Sequence, residues 1–190
     1  MTHISAEKKV YCYTMEGSRY LFADERVKMH LIDLISEIHQ RDGWLLFAFC
    51  ILDDSASFII GTDKITAVVR TIQTTVRRHL WQPPEFRQVR ESRMELSGQV
   101  EKLDTMAEII FRSREIHRLP LEQGVVCALG DYWWSSYPTY TGLHVWEMVD
   151  RGVLSMAFSP DPLIARRQLE RFHTADSVRA CEMNEILICK

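Results

Sequence analysis

The sequence predicts an α+β fold in which one antiparallel sheet carries helices on one face. Two apolar runs, Trp44–Cys50 and Ala56–Ile60, flank a short polar break from Asp53 to Ser55, and each is short enough to be a strand of one hairpin. Amphipathic segments before and after the hairpin have the spacing of helices, and a further strand is expected at each end of the unit. The resulting β-α-β-β-α-β order is the split unit of a ferredoxin-like fold.

The other elements follow from local patterns along the chain. They are a strand at Lys9–Met15, a helix at Asp24–Gln40, a helix at Thr62–Trp81, the last strand within Phe86–Leu96 and a third helix at Lys102–His117. Asp24 is suited to cap the first helix, because its carboxylate can accept a hydrogen bond from a free backbone N–H. Pro120 is expected to end the third helix, since proline lacks the N–H that an interior position needs.

The second strand of the hairpin has two different faces. Its alternation places Ala56, Phe58 and Ile60 on a core face, and Ser55 and Ser57 on the other face. With the helices on one side of the sheet, the face that carries the two serines is expected to be partly open. Two small hydroxyls side by side on an open face mark a candidate site.

The chain is predicted to form one domain with an extension. Residues 1–142 make the sheet domain, and residues 143–190 make a C-terminal helical extension that packs on it, with helices at Trp146–Phe158 and Leu163–His173. Between the third helix and the extension, Gly130–Gly142 (GDYWWSSYPTYTG) is aromatic and rich in turn residues. It is either a base-stacking platform or a segment that docks its aromatic rings on the core.

Composition limits the function classes without choosing one. The formal net charge of −3 gives no overall sign of a nucleic-acid-binding protein, so any such function depends on local charge. Five cysteines without a C-x-x-C pair, and no visible targeting segment, favour a reducing cytoplasm. No apolar run approaches the ~18 residues that a membrane helix needs, so a membrane partner is not expected.

One stretch is locally basic. From Lys64 to Arg93 the chain has seven lysines and arginines against two acids. This excess is either a solvated face whose cations offset a helix dipole, or a patch that contacts phosphates. The candidate DNA-binding residues are Arg70, Arg77, Arg78, Arg87, Arg90 and Arg93.

Several segments in order resemble a known protein family. They are SRYLF at Ser18–Phe22, AFCILDDSASFII at Ala48–Ile60, EIHRLPLEQGVV at Glu115–Val126, DYWWSSYPTYTG at Asp131–Gly142, and the tail Gly152–Phe172. In this order and spacing they resemble the REP-associated tyrosine transposases, a branch of the HUH endonucleases that process single-stranded DNA. The resemblance covers most of residues 9–174 and implies a transposase-like protein with DNA as its partner.

The resemblance also implies a chemistry that this chain has altered. In the family, two histidines at alternate strand positions hold a divalent metal that polarises the scissile phosphate, and a helix tyrosine attacks the phosphorus. Those positions align here with Ser55, Ser57 and Glu115, and the asparagine and arginine that follow the tyrosine align with Leu119 and Glu122. Hydroxyls are poor metal ligands and a carboxylate is no phenolic nucleophile, so we expect no intact catalytic residue and no cofactor.

Three functions remain as hypotheses. The first is a catalytically inactive transposase-like protein that binds hairpin or single-stranded DNA, as a monomer or a homodimer. The second is a repurposed nuclease that uses Mg²⁺ or Mn²⁺ at Asp53 and nearby acids, with His117 as a further candidate ligand. The simpler interpretation, which we favour, is that Asp53 and Asp54 form the hairpin turn. The third is a protein-interaction module whose DNA groove is vestigial, as the acidic residues at Glu115 and Glu122 would favour.

Overall fold

The computed structural model describes residues 8–17, 20–81 and 96–175, with the backbone alone for 79–81. Its strands are β1 Lys9–Glu16, β2 Leu45–Ile51, β3 Ser55–Thr62 and β4 Ser97–Leu103. Its helices are α1 Glu25–Asp42, α2 Ile65–Trp81, α3 Met106–Glu122, α4 Tyr137–Thr141, α5 Arg151–Phe158 and α6 Pro162–Thr174, and Leu129–Asp131 forms a 3₁₀ turn.

The four strands form one antiparallel sheet in the order β2-β3-β1-β4. The hairpin partners β2 and β3 lie side by side, and β3 pairs on its other edge with β1, the strand that precedes α1. This is the arrangement of a split β-α-β unit. The ferredoxin-like α+β fold predicted from the sequence is therefore confirmed, and so is Asp24 as the α1 N-cap, since its carboxylate accepts from the backbone N–H of Arg26.

Neighbouring residues of β1 show which helix covers which face of the sheet. Tyr13 lies on the side of α2, where its ring is next to Gln73. Cys12 points to the opposite side and lies within electrostatic range of Arg112 and Glu115, which both belong to α3. Because α1 packs against α2, both of these helices lie on the Tyr13 side, whereas α3 lies on the Cys12 side. The sheet therefore has helices on both faces. The expectation that the second face is partly open is wrong for β3, where α3 covers it and Ser57 is 5% exposed.

The last strand does not lie where the sequence pattern placed it. The structure has β4 at Ser97–Leu103, whereas the predicted range Phe86–Leu96 falls mostly outside the described residues. All but one of the β4 residues are exposed, because β4 is an edge strand at the margin of the core. The sequence of β4 shows almost no apolar alternation, so it does not predict a strand. The strand forms because its backbone pairs with β1.

Helix α3 begins and ends later than expected, at Met106 and Glu122. The helix cannot begin at Lys102, because the residues up to Leu103 belong to β4. Thr105 and Glu108 then form a reciprocal capping box that fixes the first turn of the helix. Pro120 lies inside the last turn and does not end the helix. A proline so close to the C-terminus removes one backbone hydrogen bond, and the turn closes through Gln123 N–H to the carbonyl of Leu119.

The C-terminal extension is held by two arginines of α3. The guanidinium of Arg114 donates to the carbonyls of Phe172 (2.9 Å) and Ala175 (2.6 Å), and that of Arg118 donates to the carbonyl of His173 (2.8 Å). These contacts satisfy backbone carbonyls at the end of α6 that have no partner within the helix. In the same extension α5 begins at Arg151 and not at Trp146 as expected, because Asp150 caps it.

Candidate functional site

The two serines of β3 lie on the same face of the sheet but in different surroundings. Ser57 is buried and its hydroxyl is 3.2 Å from that of Thr14 on the neighbouring strand. Ser55 is half-buried and donates to the carboxylate of Asp54 at 3.2 Å. Both positions offer neutral hydroxyls that are already engaged in hydrogen bonds. They therefore do not fit the two imidazole ligands that the resemblance to the transposases would require.

Glu115, which stands at the position of the family's tyrosine, belongs to an ion-pair network at the protein surface. The guanidinium of Arg112 lies 2.9 Å from the Glu115 carboxylate and also binds the carboxylate of Glu101 on β4. One cation between two carboxylates links α3 to the sheet edge. Sequence reasoning missed Arg112, because nothing in the pattern of α3 singles it out from the other arginines of that helix.

A groove of about 320 Å³ opens beside this network between β4 and α3. Its floor is apolar and its rim carries three carboxylates and the guanidinium of Arg112. The lining residues are Glu101, Leu103, Ala107, Glu108, Phe111, Arg112 and Glu115. The excess of negative charge at the rim disfavours a phosphate backbone at this place.

The two candidate metal ligands, Asp53 and His117, have other partners. Asp53 lies in the hairpin turn and pairs with the buried ammonium group of Lys28, at 2.7 Å from Nζ to Oδ1. Lys28 also approaches the hydroxyl of Tyr132 at 3.5 Å. Within the described ranges, no group of three or more His, Cys, Asp or Glu side chains could hold a metal ion.

His117 is instead part of a buried hydrogen-bond relay. Its Nδ1 is 2.9 Å from Nε2 of His173 and its Nε2 is 2.7 Å from the hydroxyl of Ser136. Nδ1 of His173 is 2.9 Å from the carbonyl of Leu169, so that nitrogen must donate and Nε2 must accept. His117 then donates through Nδ1 and accepts from Ser136, whose oxygen in turn accepts from the backbone N–H of Phe49.

Both histidines of this relay are neutral. Burial lowers the pKa of His117 well below its ordinary value. Burial and the nearby cations Arg114 and Arg118 lower the pKa of His173 to about 3, against the opposing effect of its hydrogen bond to Leu169. The relay joins α3, α6, β2 and the segment that contains Ser136, so it is a structural junction.

The aromatic segment Asp131–Gly142 docks on the core, which was one of its two predicted roles. Its backbone extends the outer edge of β2: the N–H of Ile51 donates to the carbonyl of Trp134, and the N–H of Ser136 donates to that of Phe49, both at 2.9 Å. Three tyrosines of the segment are buried, and two of them donate to carbonyls of β2. These tyrosines are Tyr132, Tyr137 and Tyr140.

The described part of the basic stretch lies on α2, on the opposite side of the sheet from Ser57. Arg70 and Arg78 are exposed and pair with none of the described acidic residues. Arg77 is also exposed, and its guanidinium donates to the carbonyl of Leu96 at 3.0 Å, which anchors the chain before β4. The other three predicted DNA-binding residues, Arg87, Arg90 and Arg93, lie outside the described residues.

None of the described helices is long and apolar enough to cross a membrane.

The sequence matches no protein-family model and no curated protein. Among solved structures, a similar one is that of the REP-associated tyrosine transposase bound to a REP hairpin. The match has a TM-score of 0.54 at 12% sequence identity and covers 76% of this chain and 86% of the other. At this identity the likeness establishes the fold, which agrees with the resemblance noted in the sequence.

Proposed function

Because this chain has the fold of a REP-associated tyrosine transposase, we propose that it is a transposase-like DNA-binding protein that no longer catalyses strand transfer. The supporting observation is the match of most of the chain to a transposase solved with a REP hairpin. We further propose hairpin or single-stranded DNA as its ligand.

The loss of catalysis is supported by the side chains at the three altered positions. The hydroxyls of Ser55 and Ser57 are engaged with Asp54 and Thr14, and the carboxylate of Glu115 is neutralised by Arg112. Metal-assisted attack on a phosphodiester needs an ion held by strong ligands and an available nucleophile. These positions supply neither, so the proposed protein works without a metal cofactor.

We assign DNA binding to the basic stretch and not to the groove beside α3. Arg70 and Arg78 project from α2 without acidic partners among the described residues, whereas the groove has an acidic rim. Phosphates bind where cations are in excess, and this binding supplies most of the salt-dependent affinity for DNA. The proposed contact set comprises Arg70, Arg77, Arg78, Arg87, Arg90 and Arg93.

The proposed location is the cytoplasm. Cys12 and Cys50 are buried free thiols, and the exposed Cys127 is also free. Free thiols persist in a reducing compartment.

The test measures binding of a fluorescent DNA hairpin and of single-stranded DNA by anisotropy, between about 50 and about 200 mM salt. We expect affinity to fall steeply with salt, and expect Arg70→Gln and Arg78→Gln each to reduce the slope by about one. Arg41→Gln, at the far end of α1, serves as the charge-matched control, because Arg41 already pairs with Asp42. Absence of binding at low salt would reject the function, and equal slopes for all variants would reject the assigned surface.

A second candidate function is a protein-interaction module, which the acidic groove between β4 and α3 favours. Glu101, Glu108 and Glu115 around an apolar floor suit a basic protein segment better than a nucleic acid. Purification of the native protein distinguishes the two functions. A bound protein that is released by Glu108→Lys, without accompanying nucleic acid, would favour this alternative over DNA binding.

A further inference from the structure

The outer margin of β4 is a sheet edge that no other described strand covers. Among the described residues β4 pairs with β1 alone, whereas the other margin of the sheet, at β2, is paired with the segment from Trp134 to Ser136. In an antiparallel pair only alternate residues direct their N–H and C=O groups to the partner, so the other residues of β4 direct theirs outward. An extended segment can pair with such an edge as a further strand, which is a common mode of peptide recognition.

The groove between β4 and α3 lies beside this edge. Helix α3 packs mainly on β2, at the other margin of the sheet, and a space of about 320 Å³ remains between it and β4. Glu101 of β4 pairs with Cys12 of β1, so Glu101 and Leu103 point to the face that α3 covers, and both line the groove. Every second side chain of an added strand would point to the same face and enter the groove.

The charges of the groove favour a cationic segment. Three carboxylates against one guanidinium leave its lining with a net charge of −2. Glu101 and Glu115 share the guanidinium of Arg112. The carboxylate of Glu108 forms no ion pair with any described residue. A basic side chain on the added strand would therefore meet a carboxylate without an ion-pair partner.

The apolar floor of the groove sets the spacing of the segment. Leu103, Ala107 and Phe111 form this floor, and Leu103 follows Glu101 by two residues on the same face of β4. Two side chains of the added strand that are two residues apart therefore meet an acidic position and an apolar one. The segment that fits has basic and apolar residues at alternate positions on one face.

Charge also distinguishes the possible occupants of this edge. A second copy of this chain would bring its own Glu101, Glu108 and Glu115 to the junction and add to the negative charge there. A nucleic acid would place phosphates beside the same carboxylates. A basic segment of another protein reduces the repulsion, so it is the occupant that the charges favour.

We propose that β4 binds an extended basic segment of another protein as a fifth strand of the sheet, with alternate basic and apolar side chains in the groove between β4 and α3. This inference rests on the protein-interaction function given above as the second candidate, and it specifies how the segment binds. The site and the arginines of α2 lie on opposite faces of the sheet, so this binding and DNA binding do not exclude each other.

The experiment titrates the protein with a fluorescent peptide of sequence KTVTKTVT, whose lysines and valines alternate on one face, and with a control peptide that has glutamate for lysine. We expect the basic peptide alone to bind at low salt. Glu108→Gln and Glu115→Gln should each weaken its binding by roughly threefold. Glutamine at 108 still accepts the capping hydrogen bond, so the start of α3 is kept. Glu122→Gln is the matched control, because Glu122 pairs with Arg118 at the far end of α3.

Amide hydrogen exchange distinguishes strand addition from contact with the groove alone. Pairing with an added strand should slow the exchange of alternate amides between Ser97 and Leu103 and leave the amides of β2 unchanged. Binding of the peptide without slower exchange in β4 would overturn strand addition.

Failure of this inference and failure of the function on which it rests give different results. If the basic peptide does not bind, or if the acidic peptide binds equally well, the proposed segment is wrong. A protein that co-purifies with the native chain and is released by Glu108→Lys would then still support the interaction function, and absence of both results would reject both proposals. If sedimentation shows a dimer whose β4 amides exchange slowly without peptide, a second copy occupies the edge and the inference is overturned.

Discussion

Acidification should destabilise the protein through the buried pair His117 and His173. Both imidazoles are neutral in the fold, because burial holds each pKa below its ordinary value. In the unfolded chain both titrate near pH 6.5, so below that pH the unfolded state binds about two more protons. Stability is therefore fully present above pH ~6.5 and is lost as pH falls toward the folded pKa values.

The size of the effect follows from linkage. Each extra proton bound by the unfolded state costs about 1.4 kcal/mol per pH unit once pH is well below 6.5. For the two histidines together, lowering pH from 7 to about 5 should reduce the free energy of unfolding by about 4 kcal/mol. Denaturant titrations at several pH values, followed by tryptophan fluorescence, measure this loss directly.

A substitution tests the assignment to this pair. In His173→Gln the amide oxygen can still accept from Nδ1 of His117, but one titrating group is gone, so the pH slope should fall to about half. The half-buried His39 also has its pKa lowered by burial, and the comparison is therefore made in a His39→Gln background. Stability that stays constant between pH 5 and 7, or an unchanged slope in His173→Gln, would refute the reasoning.

The remaining predictions concern three other contacts. Ser136→Ala removes the hydroxyl between His117 and a backbone N–H, and should lower the free energy of unfolding by about 2 kcal/mol, against no change for the exposed Ser97→Ala. Asp53→Ala should lower the free energy of unfolding by about 2 kcal/mol, because it leaves the buried ammonium group of Lys28 without its anionic partner. If the parent protein nicks DNA with Mg²⁺ or Mn²⁺ and Asp53→Ala abolishes this activity, the result would instead support a nuclease. Arg114→Met should accelerate backbone hydrogen exchange in α6 more than in α1, because the carbonyls at the C-terminus of α6 lose the guanidinium that donates to them. An equal change in the two helices would contradict the role of Arg114 in holding α6.

The hairpin and α1 were predictable from the sequence, because apolar periodicity directly reports which side of an element is buried. Strand β4 was not, since its residues are exposed and its structure comes from its pairing with β1. The start of α3 could have been found from the Thr105 and Glu108 pattern, which is a recognisable capping box.

The site was predictable only in part. The alternation of β3 placed Ser55 and Ser57 on one face correctly, but it could not show that α3 covers that face. The hydrogen-bond and ion-pair partners of His117 and Glu115 could not be predicted from the sequence either. His173 is 56 residues away from His117, and Arg112 became distinctive only when the fold brought Glu101 beside it.

The segment that docks on the outer edge of β2 limits how these chains could associate. The backbone from Trp134 to Ser136 occupies hydrogen-bonding groups of that edge, so an incoming strand meets a closed border there. At the opposite margin of the sheet, β4 pairs with β1 alone among the described residues. A sheet that can grow at one margin can pair with one other copy, but it cannot continue into a fibre, because the second copy presents its own closed border outward.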